Sequence, residues 1–399
     1  MSSRTVPDLS TAAGNLSQKQ WRRVHGRARH EWKRLVEACK DSLHLVGRVR
    51  EGAKNSGAGA YRTAVKAARR PLRQLHGRRL DLVDQWGWNR TEWSVEREIG
   101  DVVYGDHPVI VGPWLAEVGY EVLYWIPFLE WVRVAYELDP GRVVAVSRGG
   151  VSSWYAGVAD QYAEIWDVMT PDDFGRRNAA RAEFKQSGLS ALDEDIIARV
   201  IADRDLQGAR VLHPSLLFRL FRLFWSGHRP MGFIDAHTRF ALQAPPDVID
   251  RRRLPDDYVA VKLYEARALP ATPGHRDQVT RLVNALAEQT HVVMLDTGLT
   301  VDDHADYSIG SQGRIISARD LMEPRTNLAV QTQIVAHARR YVGTCGSITW
   351  LAPRLGVDTT ALYADPEFLQ NHLAVALRTS ARLSGAGQFM PVDLRGLPW

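Results

Sequence analysis

The chain has 399 residues, 45% of them apolar, which is enough for more than one globular domain and for a core that needs no covalent staples. Its two cysteines, Cys39 and Cys345, stand far apart without a CxxC partner. This argues against a disulfide framework or a cysteine zinc site and fits a reducing compartment. The net charge of +5 is uneven: residues 1–100 hold 21 Lys and Arg against 10 Asp and Glu, a net +11, leaving −6 for the remainder.

The start, Met1-Ser-Ser-Arg-Thr-Val-Pro, has no apolar leader region, and no run of about 18 apolar residues occurs. The expectation is a cytoplasmic protein, at most peripheral at the inner face of a membrane. Residues 1–14 read as a frayed polar start. From Ser17 to Val49, Trp21, Val24, Ala28, Trp32, Leu35 and Cys39 recur every three or four positions and predict one helix with an apolar stripe. The string GAKNSGAG at 52–59 breaks it, and a second helical pattern runs from Tyr61 to Asp84, divided by Pro71. Residues 1–100 are therefore read as a basic α-helical N-terminal extension. It is either a hairpin with a solvated outer face or an arm docking, through residues 17–80, on an anionic membrane surface or an acidic partner. No DNA- or RNA-binding motif accompanies the charge, so nucleic acid is the poorest of the partners.

Residues 101–245 change texture. Pro108–Val111 and Arg142–Val146 predict strands, Ala163–Met169 a third, and Tyr120–Tyr136 an aromatic-rich helix between the first two. Residues 172–208 are charged and helix-like. After Pro245-Pro246 the alternation restarts over residues 246–399. Strands are predicted at Tyr258–Tyr264, His291–Leu295, Arg314–Ile316, Arg340–Val342 and Asp358–Tyr363. Helices are predicted at Arg276–Gln289, Leu328–Ala338, Ile348–Leu355 and Glu367–Leu383, with Pro353 shortening or kinking the third. Strands alternating with helices predict parallel sheets. The fold class is thus α/β, with two Rossmann-like domains facing a cleft behind a basic helical extension.

The chemistry-bearing residues gather where strands end, which is where open parallel sheets bind ligands. Gly343-Thr344-Cys345-Gly346-Ser347 follows a strand and opens a predicted helix. Glycines at 343 and 346 admit a phosphate close to the backbone, Thr344, Ser347 and Thr349 offer hydroxyls, and a helix N-terminus favours an anion. A tight turn requiring glycine for sterics is the plain alternative. Lys262, at the end of its strand, would pair with a diphosphate at the same cleft. Asp296 and Gly298 end the next strand, where a carboxylate can hold a ribose or base; a plain turn is the equal alternative. Asp302-Asp303-His304-Ala305-Asp306 is acidic, but its spacing matches no metal motif, and His304 is read as hydrogen-bonding the nucleotide. His337 and His372 are further candidates. In front, the loop Gly112–Gly119 leads to a helix and carries Glu117 and Glu121. A carboxylate in the first turn of that helix, pointing into the cleft, could take a proton from an acceptor hydroxyl. A capping or ion-pair role is the alternative for either glutamate.

With these residues in view, the chain resembles the GT-B-fold glycosyltransferases. Glu121-Val122-Leu123 leading to Pro127-Phe128-Leu129 is similar to the heptosyltransferase pattern of Gly-Asp-Val-Leu, then Pro and Leu after a spacer. Asp302-Asp303-His304, Asn327–Thr332 and Tyr341–Tyr363 resemble a group of uncharacterised bacterial glycosyltransferase-like proteins. The resemblance covers about residues 108–375. It implies transfer of a sugar from a nucleotide-diphosphate donor to a glycan, lipid-linked or protein hydroxyl, inverting, with no metal and no cofactor beyond the donor substrate. It places the catalytic base at Glu121. The chain departs from the pattern in having Glu for Asp and an extra Tyr120 after Gly119, which leaves Glu117 as the alternative base. A non-catalytic scaffold that keeps the same frame and docks through its arm is the other reading.

Overall fold

The computed structural model describes residues 33, 37, 44, 84–181, 185–297, 305–307, 309, 310 and 312–396. Nearly all of the helical arm expected over residues 17–84 lies outside them. The chain separates into two compact units, 1–105 and 106–399. In the first, a helix, α1, spans 84–103. Trp86 and Trp93 meet edge to face on it, and the Ser94 hydroxyl donates to Glu98 one turn on. The helix runs through position 100, so the change of texture seen there falls in its last turn.

The second unit begins with β1 (Val109–Val111). A helical segment from Val118 follows and ends as α2 (Ile126–Ala135). Next come β2 (Val143–Ser147), β3 (Gln161–Glu164), α3 (Pro171–Ala180), α4 (Ala191–Asp203), β4 (Arg210–Leu212), α5 (Ser215–Trp225) and α6 (Met231–His237). The four strands form one parallel sheet in the order β3-β2-β1-β4. All five residues of β2 are buried, as a strand covered on both faces requires. Ile110, Val144, Val146, Phe174, Leu192 and Ile196 pack together as the core of this half.

The chain then forms β5 (Tyr258–Lys262), β6 (Tyr264–Glu265), α7 (Pro273–Gln289), β7 (His291–Met294), β8 (Ala305–Asp306), β9 (Ile315–Ser317) and α8 (Asn327–Ala336). It ends with β10 (Arg340–Thr344), β11 (Thr359–Tyr363), α9 (Pro366–Arg382) and β12 (Phe389–Asp393). Six of these strands make a second parallel sheet, β12-β11-β10-β5-β7-β9, while β6 and β8 pair separately and antiparallel. Counted along its own chain, the six-stranded order is that of the Rossmann fold. The four-stranded sheet has the same order without the last two strands. Each sheet therefore has one point where the winding reverses: between β1 and β4 in the first, and between β5 and β10 in the second. The expected α/β fold with two Rossmann-like halves facing a cleft is what the chain forms.

Two elements differ from expectation in ways that matter for the site. The predicted helix at Ile348–Leu355 is two short 3-10 turns, Ser347–Trp350 and Ala352–Leu355, with Pro353 inside the second. The predicted helix at Tyr120–Tyr136 contains a π-turn at Glu121–Trp125. In it the Ile126 N–H reaches back five residues to the Glu121 carbonyl, and Pro127, with no N–H, cannot continue that ladder. The Val122 carbonyl then has no donor at position 127. Arg354, 2% exposed, supplies one through Nη1 at 3.0 Å. Its Nε donates to the Ala241 carbonyl at 2.9 Å, and its own carbonyl accepts from the Gln243 N–H at 2.8 Å. One buried arginine thus joins the π-turn, the connection between the halves and the second 3-10 turn. Burial lowers its pKa to about 10, so it stays charged at neutral pH.

Candidate functional site: a cleft at two strand-reversal points

The loops leaving β1, β5 and β10 converge on one open cleft. Its space measures about 770 Å³ with the mouth included, and Glu117, Tyr120, Tyr264, Arg267, Ser347 and His372 are among its lining residues. The second reversal point feeds it from both of its strands and the first through the loop after β1, as Rossmann topology predicts for a ligand site.

The front wall is the loop 113–117. Buried side chains hold it. The Gln186 amide oxygen accepts from the Leu115 and Ala116 N–H groups at 2.8 and 3.2 Å, and its nitrogen donates to the Pro113 carbonyl at 2.8 Å. The Arg148 guanidinium donates to the carbonyls of Trp114 and Ala116, both at 3.0 Å. Glu117, half-buried, stands at the end of this pinned loop and lines the cleft.

The back wall is the turn after β10. Gly346 has φ of +133°, and a Cβ there would strike the Tyr264 hydroxyl, so glycine is required. Ser347 follows at φ of +42°, a left-handed conformation that costs a non-glycine residue energy and is concentrated at functional sites. The two walls touch: a Cβ on Gly119 would lie 3.0 Å from the Ser347 nitrogen. Arg267 stands at the rim, its guanidinium 4.6 Å over the Phe368 ring and its Nε 3.4 Å from Asp365.

The third side is aromatic. His372 on α9 contacts the Tyr124 hydroxyl through Nδ1 at 2.8 Å and the Tyr120 hydroxyl through Nε2 at 3.3 Å. Desolvation by the surrounding rings, with repulsion from the Lys185 ammonium, pushes its pKa down to about 4, so the imidazole is neutral at pH 7.

Of the residues singled out in the sequence, the cleft collects Glu117, Gly346, Ser347 and His372. Glu121 does not point into it. It is 0% exposed within the π-turn, where Oε1 accepts from the Ser147 and Tyr155 hydroxyls, both at 2.6 Å. Burial raises its pKa to about 7, opposed by Arg148 and by those two hydroxyls. Lys262 is turned inward: its Nζ donates to the Leu295 carbonyl at 2.8 Å and pairs with Asp306 at 2.7 Å. Asp296 accepts from the Ser317 hydroxyl at 2.6 Å and faces Arg319. Thr344 is fully buried, its hydroxyl exchanging hydrogen bonds with the Tyr264 backbone, and the Thr349 hydroxyl donates to the Thr344 carbonyl. Gly343 lies inside β10, where a Cβ would meet the Tyr341 and Thr349 hydroxyls. With only a 3-10 turn behind the loop, the helix dipole invoked for anion binding is missing. Gly298 and His304 lie outside the described residues. His337 ends α8, where burial lowers its pKa, and it is not among the cleft-lining residues. The residues the sequence reading missed are Arg267, whose spacing gave no signal, and Tyr120, treated as an insertion.

No protein-family model and no curated protein matches the chain. Among solved structures it is similar to the iron-containing dodecameric glycosyltransferase TibC of enterotoxigenic E. coli, at 11% identity and a TM-score of 0.35, over 66% of this chain and 59% of that one. It is also similar to the E. coli ADP-heptose LPS heptosyltransferase II, at 10% identity and 0.39, over 72% and 90%. A third is the glycosyl transferase family 9 protein of Veillonella parvula, at 10% and 0.37, over 74% and 87%. The chain thus spans about three-fifths of TibC. The likeness concerns fold; the site must be read from its own chemistry. No helix among the described residues is long and apolar enough to cross a membrane.

Proposed function

We propose that the protein is a glycosyltransferase that moves a sugar from a nucleotide-diphosphate donor to a hydroxyl of a glycan, lipid-linked or protein acceptor. The observation that carries the reading is the meeting of Glu117, at the end of a pinned loop, with a glycine turn and a guanidinium, Arg267, where loops leave two Rossmann-like sheets. Glu117 replaces Glu121 as the base. It takes the acceptor proton as the hydroxyl oxygen forms its bond to the anomeric carbon. The bond from that carbon to the phosphate oxygen breaks on the opposite face, giving inversion, and the electron pair leaves with the diphosphate. Arg267 replaces Lys262 as the cation that offsets the developing charge, beside the backbone of Gly346 and Ser347. A side chain in that role suits a metal-independent reaction needing no resident cofactor. The proposed location is cytoplasmic or at the inner face of a membrane.

One observation favours the non-catalytic alternative: Glu121 and Lys262, at the positions where chemistry was first expected, are both committed to internal partners. Calorimetric titration with UDP-, GDP-, ADP- and dTDP-sugars, followed by donor-consumption assays, separates the readings. Binding with turnover that Glu117→Gln abolishes supports transfer. Binding without turnover toward any hydroxyl acceptor supports the scaffold, and a folded chain that binds none of the four sinks the donor site.

A further inference from the structure

The aromatic side of the cleft contains a hydrogen-bond chain whose direction can be worked out from its burial. Tyr124 is 1% exposed, and burial raises its pKa, so its hydroxyl keeps its proton. That proton needs an acceptor. Among the described residues, the acceptor within reach of this hydroxyl is His372 Nδ1, at 2.8 Å. If Nδ1 carried the hydrogen instead, the Tyr124 O–H would point into packed rings with no acceptor among the described residues, at the cost of a buried orphan donor. Tyr124 therefore donates to Nδ1. The neutral ring then has its hydrogen on Nε2, which faces the Tyr120 oxygen at 3.3 Å. Tyr120 accepts there, and its own proton is left to point elsewhere. Its half-buried side chain lines the cleft.

We propose that Tyr124 and His372 orient the Tyr120 hydroxyl as a fixed donor to a phosphate oxygen of the nucleoside diphosphate bound in the cleft. The proposal rests on the reading of this cleft as a donor site. Phosphate is favoured over a sugar hydroxyl by position. Tyr120 directly follows Gly119, whose backbone abuts Ser347 of the glycine turn, and Arg267 lies on the same cleft. The group also explains why an imidazole sits among rings: it turns one buried hydroxyl into a directional contact for another. Tyr120 is the ligand-contacting residue; Tyr124 and His372 are positioning residues. The charged and titratable groups facing the imidazole are Lys185 across the Tyr120 ring and the Glu117 carboxylate beyond the Tyr120 hydroxyl.

The test has two independent arms. In the full-length chain labelled with ¹⁵N-histidine, His372 is assigned by loss of its signal in His372→Gln. Its ring should remain neutral with hydrogen on Nε2 from pH 8 down to pH 5, and Tyr124→Phe should lose that tautomer preference. A protonated ring at pH 6, or hydrogen on Nδ1, overturns the relay whether or not any nucleotide binds. In the second arm, ADP, GDP, UDP and dTDP, and the matching nucleosides, are titrated into wild type, Tyr120→Phe and His372→Gln. The expected result is about tenfold weaker diphosphate binding in both variants, with nucleoside binding unchanged. Equal affinity of wild type and Tyr120→Phe for the diphosphate overturns the phosphate contact while the donor site stands. Equal loss for the nucleoside shows that the contact lies elsewhere and overturns it too. If wild type binds none, the donor site and the phosphate contact fall together, and the ring spectra alone decide the relay.

Discussion

The two loops that face each other across the cleft leave strands on opposite sides of the reversal points, β1 as the first strand of its sheet and β10 as the fourth of its own, and they are shaped by opposite means. The loop after β1 is held by side chains from far along the chain: Arg148 and Gln186 occupy its carbonyls and N–H groups. The turn after β10 is shaped locally, by positive φ at Gly346 and Ser347 and by the Thr349 hydroxyl on the Thr344 carbonyl. The first arrangement holds the backbone that leads to a cleft-lining side chain, Glu117, as positioned chemistry requires. The second presents bare backbone, as close approach by a ligand requires. Under the proposed function, the difference fits reaction at the front loop and binding at the back one.

The largest test of that division is Glu117→Gln. Loss of a general base should lower turnover by about 10²–10⁴-fold. Nucleotide affinity, measured by calorimetry, should stay within a few-fold, because the proposed contacts with the diphosphate lie with Arg267, the Tyr120 hydroxyl and the opposite turn, and not with the Glu117 carboxylate. A parallel fall in affinity would break the comparison, since both functions would then reside in one loop.

Arg354 is where the two regions are mechanically joined. Arg354→Met orphans the carbonyls of Val122 and Ala241, and the expected loss is about 3–5 kcal/mol in denaturant unfolding. Arg354→Lys should recover part of it. If the methionine variant is as stable as wild type, the π-turn does not depend on this donor.

How much of this could be read beforehand follows from the range of the interactions. The runs VVAV at 143–146 and YVAV at 258–261 declared buried parallel strands, and their order gave the cleft. β12 was missed because Pro391 interrupts it, which an edge strand tolerates. β4 was missed because only three residues pair, one of them an arginine. Glu121 was aimed wrongly for a local reason that was present in the sequence. The π-turn before Pro127 inserts one residue into the helical register, and the side chain turns toward Ser147. Lys262 was aimed wrongly for a non-local one: Asp306 lies 44 residues away, and no spacing announces that pair.

Glu121 gives the next effect, a pH dependence with a defined sign. Its folded pKa is raised from 4.5 to about 7, mainly by burial. The neutral form therefore stabilises the fold. That contribution is complete below about pH 4.5 and is lost as pH rises to 7, a change of about 3 kcal/mol at most. Glutamine keeps an acceptor for Ser147 and Tyr155 and cannot ionise. Glu121→Gln should match wild type near pH 5 and exceed it at pH 8 in denaturant unfolding, with Glu164 contributing the same trend to both proteins. A gap that does not widen with pH would mean the carboxylate is solvated or paired, and the front loop would then have a second charge to aim.

The smallest effect distinguishes contact from mere proximity of the two walls. Gly119 and Gly175 are both helical glycines with ordinary φ, so alanine should favour the helix by about 0.5–1 kcal/mol at each. At Gly175 nothing lies within 4 Å of the added carbon, and the gain should appear in full as a higher Tm. At Gly119 the carbon meets the Ser347 nitrogen at 3.0 Å and the Trp350 ring at 3.4 Å. Ser347 is backbone in a strained turn and cannot yield as a flexible side chain would. Overpacking there costs about 1–3 kcal/mol, which outweighs the helical gain. Gly119→Ala should lower Tm while Gly175→Ala raises it, and nucleotide affinity should fall in the first alone. Equal gains at both positions would mean that the front loop and the glycine turn merely approach each other, and that the cleft has room to close further around its ligand.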